Sequence, residues 1–341
     1  MMTRRWLECA CVLAGSMACA PSADVRPDRP GGPYLGQQPP GAMPELFAPG
    51  IVSTGMYTRD VAMTPDQQEI YFTVMVGGFS VIMSTRRGEG VWTEPEVAPF
   101  SGDPRFFDAE PAISPDGQRL FFLSTRLPEG RNPTDQEIRA WTNEDIWVVD
   151  RQGNTWGEPH NLGPPVNTSA SEFFPSMTRD GTLYFTRGEE GESHIYRSRI
   201  TDGRYAEPER LGPEVNSTPS QYNAFVHPDE RYVILCTGDR DDTVGGSDYY
   251  VVFRNEDDTW SEPINLGEPV NTAGSGEISP YVSPDGAYFF FMSSRGRPPE
   301  SYPPRLTRGY LWDVHTGPGN GAADIYWMDA SFIEGLRPAA R

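Results

Sequence analysis

Carboxylate and guanidinium side chains recur at matching places in this chain, and they are its first candidates for chemistry. Three glutamates each stand just before an apolar, strand-like segment: Glu110, Glu172 and Glu277. Four arginines each follow such a segment: Arg126, Arg187, Arg240 and Arg295. Two carboxylates held about 5 to 10 Å apart could cleave a glycosidic bond, and a ring of charged groups could grip a peptide or a sugar. The alternative is that each Glu–Arg pair fixes one structural unit to the next, and the regular recurrence favours this architectural role.

Aromatic side chains stand in two longer segments, Leu127 to Glu144 and Gly296 to Ala323. Trp141 lies in the first segment, and Tyr310 and Trp312 lie in the second. Aromatic rings on exposed loops suit stacking on a glycan or anchoring of a peptide, and long loops in compact domains are often functional. The alternative interpretation is a lid packed on itself over the channel.

Metal and cofactor chemistry has weak support in the sequence. Asp239, Asp241 and Asp242 supply the hard oxygen donors that calcium prefers, but the EF-hand pattern is absent and a solvated acidic loop is the favoured interpretation. The four histidines fall in separate predicted strands and loops, which disfavours a shared zinc site. Neither a Gly-x-Ser-x-Gly nucleophile motif nor a glycine-rich phosphate loop is present. We therefore expect no cofactor.

A fivefold sequence repeat must position all of these residues. A turn followed by an apolar strand recurs, with its aspartate at Asp66, Asp116, Asp180, Asp229 and Asp285. A second block, with the pattern Trp-x-Glu-Pro, Leu-Gly, Val-Asn, follows most copies. Each copy fits four short antiparallel strands, as in a propeller blade. Blades of roughly 40 to 50 residues are typical, so the longer copies contain insertions, which we expect on one face beside the channel.

The start of the repeat region predicts how the ring closes. The last copy lacks its fourth strand, and Pro44 to Val52 matches the missing block. The sequence therefore predicts an all-β, five-bladed β-propeller of four-stranded antiparallel blades over residues 42–332, closed by its N-terminal strand. A C-terminal tail would follow at residues 333–341. Six blades are the alternative.

Ser-Pro-Asp-Gly, an apolar strand, Ser-x-Arg and Asp-Ile-Tyr follow one another in these copies. In this pattern the chain resembles the TolB-type, WD-repeat-like bacterial propellers over about residues 42 to 330. The resemblance implies the propeller fold. It does not single out an activity, because such propellers include envelope proteins that bind partners, peptidase accessory domains and some polysaccharide lyases.

The N-terminal leader predicts export. A basic start precedes a short apolar segment, so residues 1–19 are expected to be a signal peptide, too short to span a membrane as a mature helix. Ser-Met-Ala-Cys, ending at Cys19, resembles a lipobox and predicts lipidation there. Cleavage after Ala18 or Ala20 without a lipid is the alternative. Residues 20–41 are rich in Pro and Gly and are expected to form a flexible tether.

The overall charge narrows the range of partners. The chain has 341 residues and a formal net charge of −20 at pH 7, so it lacks the basic surface that nucleic acids require. We expect a monomer in the periplasm or at the outer membrane, held to the membrane only by a lipid on Cys19. Its expected function is a non-enzymatic binding or scaffold module for an envelope protein or glycan, at the insertion-bearing face. The alternative is a carbohydrate-active enzyme, a glycoside hydrolase or polysaccharide lyase, that uses carboxylates at the channel mouth.

Overall fold

The computed structural model describes residues 30–128 and 131–338, so Cys19 and the expected signal peptide lie outside the described residues. Strand β1, Glu45–Leu46, precedes five sheets that follow one another along the sequence. Each sheet is an antiparallel blade, and β1 pairs with the last strand of the fifth blade, opposite Trp327 and Tyr326. The five-bladed propeller and its closure by the N-terminal strand are thereby confirmed. The described residues form no sixth blade.

The strands of the five blades have the following bounds. The first blade contains β2 (Tyr57–Met63), β3 (Glu69–Val76), β4 (Phe79–Gly88), β5 (Val91–Trp92) and β6 (Glu96–Val97). The second contains β7 (Asp108–Ile113), β8 (Arg119–Ser124), β9 (Asp145–Gln152), β10 (Thr155–Trp156) and β11 (His160–Asn161). The third contains β12 (Ser171–Met177), β13 (Leu183–Glu189), β14 (Glu192–Ser198), β15 (Ile200–Thr201), β16 (Arg204–Tyr205) and β17 (Glu209–Arg210). The fourth contains β18 (Tyr222–Val226), β19 (Tyr232–Thr237), β20 (Asp248–Phe253) and β21 (Ile264–Asn265), and the fifth contains β22 (Glu277–Val282), β23 (Tyr288–Ser293) and β24 (Asp324–Asp329).

The repeated turns join the inner strand of each blade (β2, β7, β12, β18 and β22) to the next strand outward. In the second blade, Ser114 Oγ donates to Asp116 at 2.6 Å, and Asp116 accepts from the Gln118 amide at 3.0 Å. The same hydroxyl–carboxylate pair recurs in three other blades: Thr64–Asp66, Thr178–Asp180 and Ser283–Asp285. Aspartates of this kind satisfy the backbone of their own turns. They are therefore part of the architecture.

The propeller has two distinct faces. The turn face carries the repeated turns, and the opposite face, called here the insertion face, carries the connections between the second and third strands of each blade. Both longer segments lie on the insertion face, one between β8 and β9 and one between β23 and β24. The second segment contains a 3₁₀ helix, Pro299–Ser301, and helix α1, Arg308–Thr316, which is capped by the Thr307 side chain.

Short helices flank the ring at both ends of the described chain. A 3₁₀ helix spans Tyr34–Gly36, and helix α2 spans Ser331–Gly335. Ile333 of α2 is buried in the core shared by the fourth and fifth blades, so the tail expected from residue 333 begins with a packed helix. Within the two described ranges, no helix is long and apolar enough to cross a membrane.

The segment before β1 corrects the expected extent of the tether over residues 20–41. Tyr34 and Leu35 are buried in the core between the fifth and first blades. The Tyr34 ring lies 5.3 Å from the ring of Trp327, and its hydroxyl donates to Asp285 at 3.0 Å. Two apolar side chains in a Pro/Gly-rich stretch suffice to dock it, because each buries a large apolar surface. The packed region therefore begins before residue 42.

Candidate functional site

A bulge interrupts every inner strand at the same position. The pairing register shifts there in all five blades, and the bulged residue has a positive φ of 49° to 66°. The five residues are Asp60, Glu110, Phe174, Asn223 and Ser279. A positive φ is uncommon for residues other than glycine, and bulges beside active sites re-aim side chains. Here all five bulged residues line cavities of the central channel.

The bulge defines which acidic residues are equivalent. Glu172 and Glu277 stand two residues before the bulge of their strands, and Asp108 occupies that place in the second blade. Glu110 is itself the bulged residue of its strand. The expected grouping of Glu110 with Glu172 and Glu277 is therefore wrong in register, and Asp108 is their true counterpart.

Two of these counterparts form tight, buried ion pairs. Glu172 accepts from Arg187 Nε at 2.8 Å, and Asp108 accepts from Arg126 Nη1 at 2.7 Å. Burial raises the pKa of both carboxyls, and hydrogen bonds and the adjacent arginine oppose that rise. The geometry matches the architectural role expected for a repeated pair, since both carboxylates lie inside the blades.

The ion pair at this position is longer in the fifth blade and absent from the fourth. Glu277 is fully buried, and Arg295 Nη2 lies 3.8 Å from its Oε1. In the fourth blade Gln221 replaces the carboxylate. Arg240 turns instead to Asp242, at 3.3 Å. The predicted charged residues other than Glu110 thus lie in separate blades as local contacts and do not converge as a ring.

The acidic loop considered for calcium is bound to its own blade. Asp242 accepts from the Tyr250 hydroxyl at 3.0 Å as well as from Arg240. In the described part of the chain, no group of three or more His, Cys, Asp or Glu side chains is placed to hold a metal ion. Asp239, Asp241 and Asp242 therefore offer calcium no converging set of donors.

A layer of three charged side chains divides the channel. Arg59 Nη2 donates to Glu110 Oε1 at 2.6 Å, and Arg59 Nε donates to Asp60 Oδ1 at 3.0 Å. Glu110 Oε2 accepts from the Phe174 amide at 2.7 Å, which connects the layer to the third blade. Burial raises the pKa of Glu110 to about 8, although the charge of Arg59 lowers it. Glu110, unlike Glu172 and Glu277, is thus a channel residue.

Cavities lie on both sides of this charged layer, and Glu110 lines both of them. On the turn side, a chamber of about 310 Å³ is enclosed by the inner strands of all five blades. On the insertion side, a mouth of about 300 Å³ opens among Trp141, Phe173 and Tyr222. Glu144 also lines this mouth, and burial raises its pKa. The mouth therefore combines aromatic rings with two carboxyl groups.

The predicted aromatic residues occupy two different places on the insertion face. The Trp141 ring lies 4.7 Å from that of Phe107 and borders the mouth. Tyr310 and Trp312 lie on α1 in the fifth-blade insertion, where the Trp312 ring lies 5.7 Å from that of His315. The residues that line the mouth include Trp141 and neither of the helix residues.

Exposed apolar side chains form an arc on the insertion face, and beyond the predicted Trp141 and Trp312 its members were not indicated by any sequence pattern. Nine exposed apolar residues of the described ranges lie at connections of this face. The apolar arc is the group of six from the fifth, first and second blades that are 38% to 62% exposed: Met56, Val76, Phe79, Trp141, Leu311 and Trp312. The other three are Val244 in the fourth blade and Tyr302 and Leu306 in the fifth-blade insertion.

The apolar arc runs over the fifth, first and second blades, which are neighbours in the ring. Asn320 Nδ2 donates to the Gly55 carbonyl at 3.1 Å, and the Arg139 guanidinium lies 5.4 Å from the Phe79 ring. These contacts join both insertions to the first blade, so the arc is held by linked segments.

Comparison with known proteins supports no assignment beyond the fold. No family model matches the chain, and no curated protein matches it. Among solved structures, the chain is similar to TolB from Agrobacterium tumefaciens, with 16% identity and a TM-score of 0.45 over 80% of this chain and 90% of that one. It is also similar to TolB from Acinetobacter baumannii, with 17% identity and a TM-score of 0.45, over 80% of this chain and 57% of that one. The NanB sialidase from Streptococcus pneumoniae matches with 16% identity and a TM-score of 0.39, over 75% of this chain and 36% of the sialidase.

The expected similarity to TolB-type propellers is thus found among solved structures. The chain spans little more than half the length of the Acinetobacter protein and about a third of the sialidase. At such identities the likeness concerns the fold alone, so function has to be argued from the surfaces of this chain.

Proposed function

We propose that this protein is an exported scaffold that binds a partner protein through the apolar arc of its insertion face. The observation that carries the proposal is that six exposed apolar side chains from three neighbouring blades lie on one face of the propeller. Apolar surface left in water costs roughly 25 cal/mol per Å², and grouped exposure is typical of interaction sites. Aromatic residues and methionine, both present in the arc, are enriched at protein interfaces.

The composition of the arc favours a protein over a glycan. Met56, Val76 and Leu311 are aliphatic and offer no flat ring on which a sugar could stack. The mouth beside the arc carries Trp141 and Glu144, and aromatic faces and carboxylates both attract a cation. We therefore expect the partner to present an apolar surface with one basic side chain over the mouth.

An enzymatic role has less support than binding. Hydrolysis or elimination by the predicted carboxylates needs two of them free at the mouth. Glu172 and Glu277 are fully buried beside arginines. Glu110 is bound to Arg59 at 2.6 Å. These pairings favour a scaffold that presents a surface over a catalyst that transfers protons.

Location in the periplasm or at the outer membrane belongs to the same proposal, and it rests on the leader sequence. The lipid anchor on Cys19 is tested by labelling cells with a radioactive fatty acid. Incorporation into the wild-type chain and its loss in Cys19→Ala are expected. Incorporation that persists in the variant contradicts the anchor, and a chain that stays in the cytoplasm contradicts export.

The binding surface is tested by site-specific photo-cross-linking in the producing cell. A cross-linking amino acid is placed at Leu311 or Val76 in the arc and, as matched controls, at Met43 or Val97, which are exposed apolar residues outside the arc. We expect one and the same protein to be captured from both arc positions and from neither control position. Binding of that purified protein should then be weakened about 30-fold by Leu311→Asp, because the introduced carboxylate would be buried against the apolar surface of the partner without a counter-charge.

Three outcomes would count against the proposal. Capture of the same proteins from Met43 and Val97 would show that the arc is not selective. Equal affinity of Leu311→Asp and Val97→Asp for the captured protein would show that the arc does not form the interface. Binding of a purified envelope polysaccharide that is lost in Leu311→Asp would assign the surface to a glycan.

A further inference from the structure

We propose that the chamber on the turn side of the channel is a second, independent binding site, for a small molecule with an apolar body and a protonated amine at its inner end. The chamber lies on the other side of the charged layer from the mouth, so it does not depend on the partner proposed for the insertion face. Its volume of about 310 Å³ is at the lower end of the range for small-molecule sites, which is roughly 300 to 1,000 Å³.

The wall of the chamber is apolar and poor in hydrogen-bond donors. Seven prolines line it, together with Met63, Met177 and Tyr281. Proline has no amide N–H, and in three of the five inner strands a proline follows the bulged residue directly: Pro111, Pro175 and Pro280. A ligand that enters the chamber is surrounded by this apolar wall and finds its polar partners at the inner end, where the bulged residues lie.

An unsatisfied hydroxyl stands at that inner end. Ser279 is the bulged residue of the fifth blade, lines the chamber and is 3% exposed. Its Oγ has no hydrogen-bond partner among the described residues. Buried polar groups are nearly always hydrogen-bonded, because an unpaired one has lost its water without compensation. The Ser279 hydroxyl is therefore available to a ligand, at the same level of the channel as Glu110.

The charges at the inner end favour a cation. Two carboxylates, Asp60 and Glu110, share one guanidinium, that of Arg59, so the layer has an excess of one negative charge when both acids are ionised. An uncompensated buried charge is costly. The excess is removed either by a proton on Glu110, in keeping with its raised pKa, or by a cation that enters the chamber. An ammonium group would supply that charge and donate to the Ser279 Oγ and to a carboxylate oxygen.

The entrance lies on the turn face. Its rim includes Pro65, Pro115, Pro228 and Arg179, and the Arg179 guanidinium is held by Asp229 at 2.9 Å. This ion pair is exposed and turns the arginine towards the neighbouring turn. The chamber can therefore be filled from solvent while the insertion face is covered by a partner.

The site is tested with three probes of the same shape and different charge: phenethylamine, 2-phenylethanol and 3-phenylpropanoate. Binding to the full chain is followed by NMR of ¹³C-labelled methionine methyl groups. We expect the amine to shift the Met63 and Met177 signals with a dissociation constant in the millimolar range. The exposed Met43, outside the chamber, is the internal control. The amine should bind about tenfold more tightly than the alcohol, and the carboxylate should bind least.

Variants locate the polar end of the ligand. Ser279→Ala should weaken amine binding about fivefold, and Glu110→Gln should remove most of the preference for the amine over the alcohol. Glu96→Gln, which changes an exposed carboxyl group on strand β6 of the first blade, away from both cavities, should leave both constants unchanged. Equal affinity for amine and alcohol in the wild type, or unchanged amine affinity in Ser279→Ala, would overturn the proposal. Shifts of Met43 as large as those of Met63 would also overturn it. If Glu110→Gln does not fold, Ser279→Ala and the three probes decide the question alone.

Discussion

Arg59 of the first blade and Glu110 of the second form an ion pair inside the channel, with 2.6 Å between Nη2 and Oε1 and with side chains only 13% and 5% exposed. The other blades have no basic residue at the position of Arg59: they hold Ala109, Phe173, Tyr222 and Ile278. The buried pair of Glu172 and Arg187, in contrast, has counterparts in the second and fifth blades. A pair that departs from the repeat is not part of the pattern that builds each blade, which is why we propose the channel layer as a site and assign the repeated pairs to the architecture.

Removal of the Arg59 guanidinium should destabilise the fold strongly. In Arg59→Met, Asp60 and Glu110 remain buried without their cation, and such a loss typically costs about 3 to 5 kcal/mol. The measurement is the free energy of unfolding from urea titrations at pH 7. Arg86→Met is the matched control, because Arg86 is half-exposed in its pair with Glu69 and such pairs contribute about 1 kcal/mol or less. Equal losses of stability in the two variants would show that the channel pair stabilises the fold no more than a half-exposed pair does.

Glu110 should make the fold less stable as the pH rises. Its pKa in the folded protein is about 8, raised from 4.5 by burial, with Arg59, Asp60 and Glu144 as the charged groups acting on it. The folded state thus binds this proton more tightly than the unfolded state does. The resulting stabilisation is complete below pH 4.5 and is lost as the pH rises through 8.

The difference between wild type and Glu110→Gln isolates this effect from other titrating groups. Between pH 5 and pH 8 the free energy of unfolding of the wild type should fall by on the order of 2 to 4 kcal/mol more than that of the variant. Urea titrations at several pH values measure it. Parallel curves for the two proteins would mean that the carboxyl titrates in its ordinary range.

The ring itself could be predicted because its signals are local and repeated. Turn aspartates such as Asp116 close their own turns, so five copies of one short pattern specify five blades. The closing strand was predictable because one copy lacked a block that the N-terminal region contains. The docking of Tyr34 was not, because its partner Trp327 lies at the far end of the chain and a single 3₁₀ turn has no periodic pattern.

The site was predictable only in part. Residue type alone grouped Glu110 with Glu172, although Glu110 stands six residues before its turn aspartate and Glu172 stands eight before its own, Asp180. This difference in spacing is present in the sequence, but it identifies non-equivalent positions only once the bulge is known, and the bulge is a feature of the backbone. The apolar arc draws single residues from separate loops, such as Met56 and Leu311, so no stretch of sequence contains it.

Closure by the N-terminal strand should make Phe47 a core residue. Its ring is fully buried, 5.2 Å from that of Trp327 and 5.0 Å from that of Phe290. Phe47→Ala should therefore lower the free energy of unfolding by about 3 to 5 kcal/mol, as expected for a large cavity in a core. Met43→Ala is the control, since that side chain is 65% exposed, and its effect should stay within about 0.5 kcal/mol. Similar small effects in both variants would show that the ring is stable without its closing strand.

The two exposed tryptophans should contribute little to stability and strongly to binding of the partner. Trp312 is 62% exposed, and its ring neighbour is His315 of its own helix, so Trp312→Ala should change the free energy of unfolding by less than about 0.5 kcal/mol. Trp141 packs on Phe107, and Trp141→Ala should cost about 1 kcal/mol. Both variants should weaken binding of the protein captured through Leu311 by about tenfold or more. Thermal unfolding and calorimetric titration measure the two quantities. A Trp312→Ala protein that is destabilised by several kcal/mol would show that α1 is a packed lid, whereas unchanged stability with lost binding is what a surface for a partner requires.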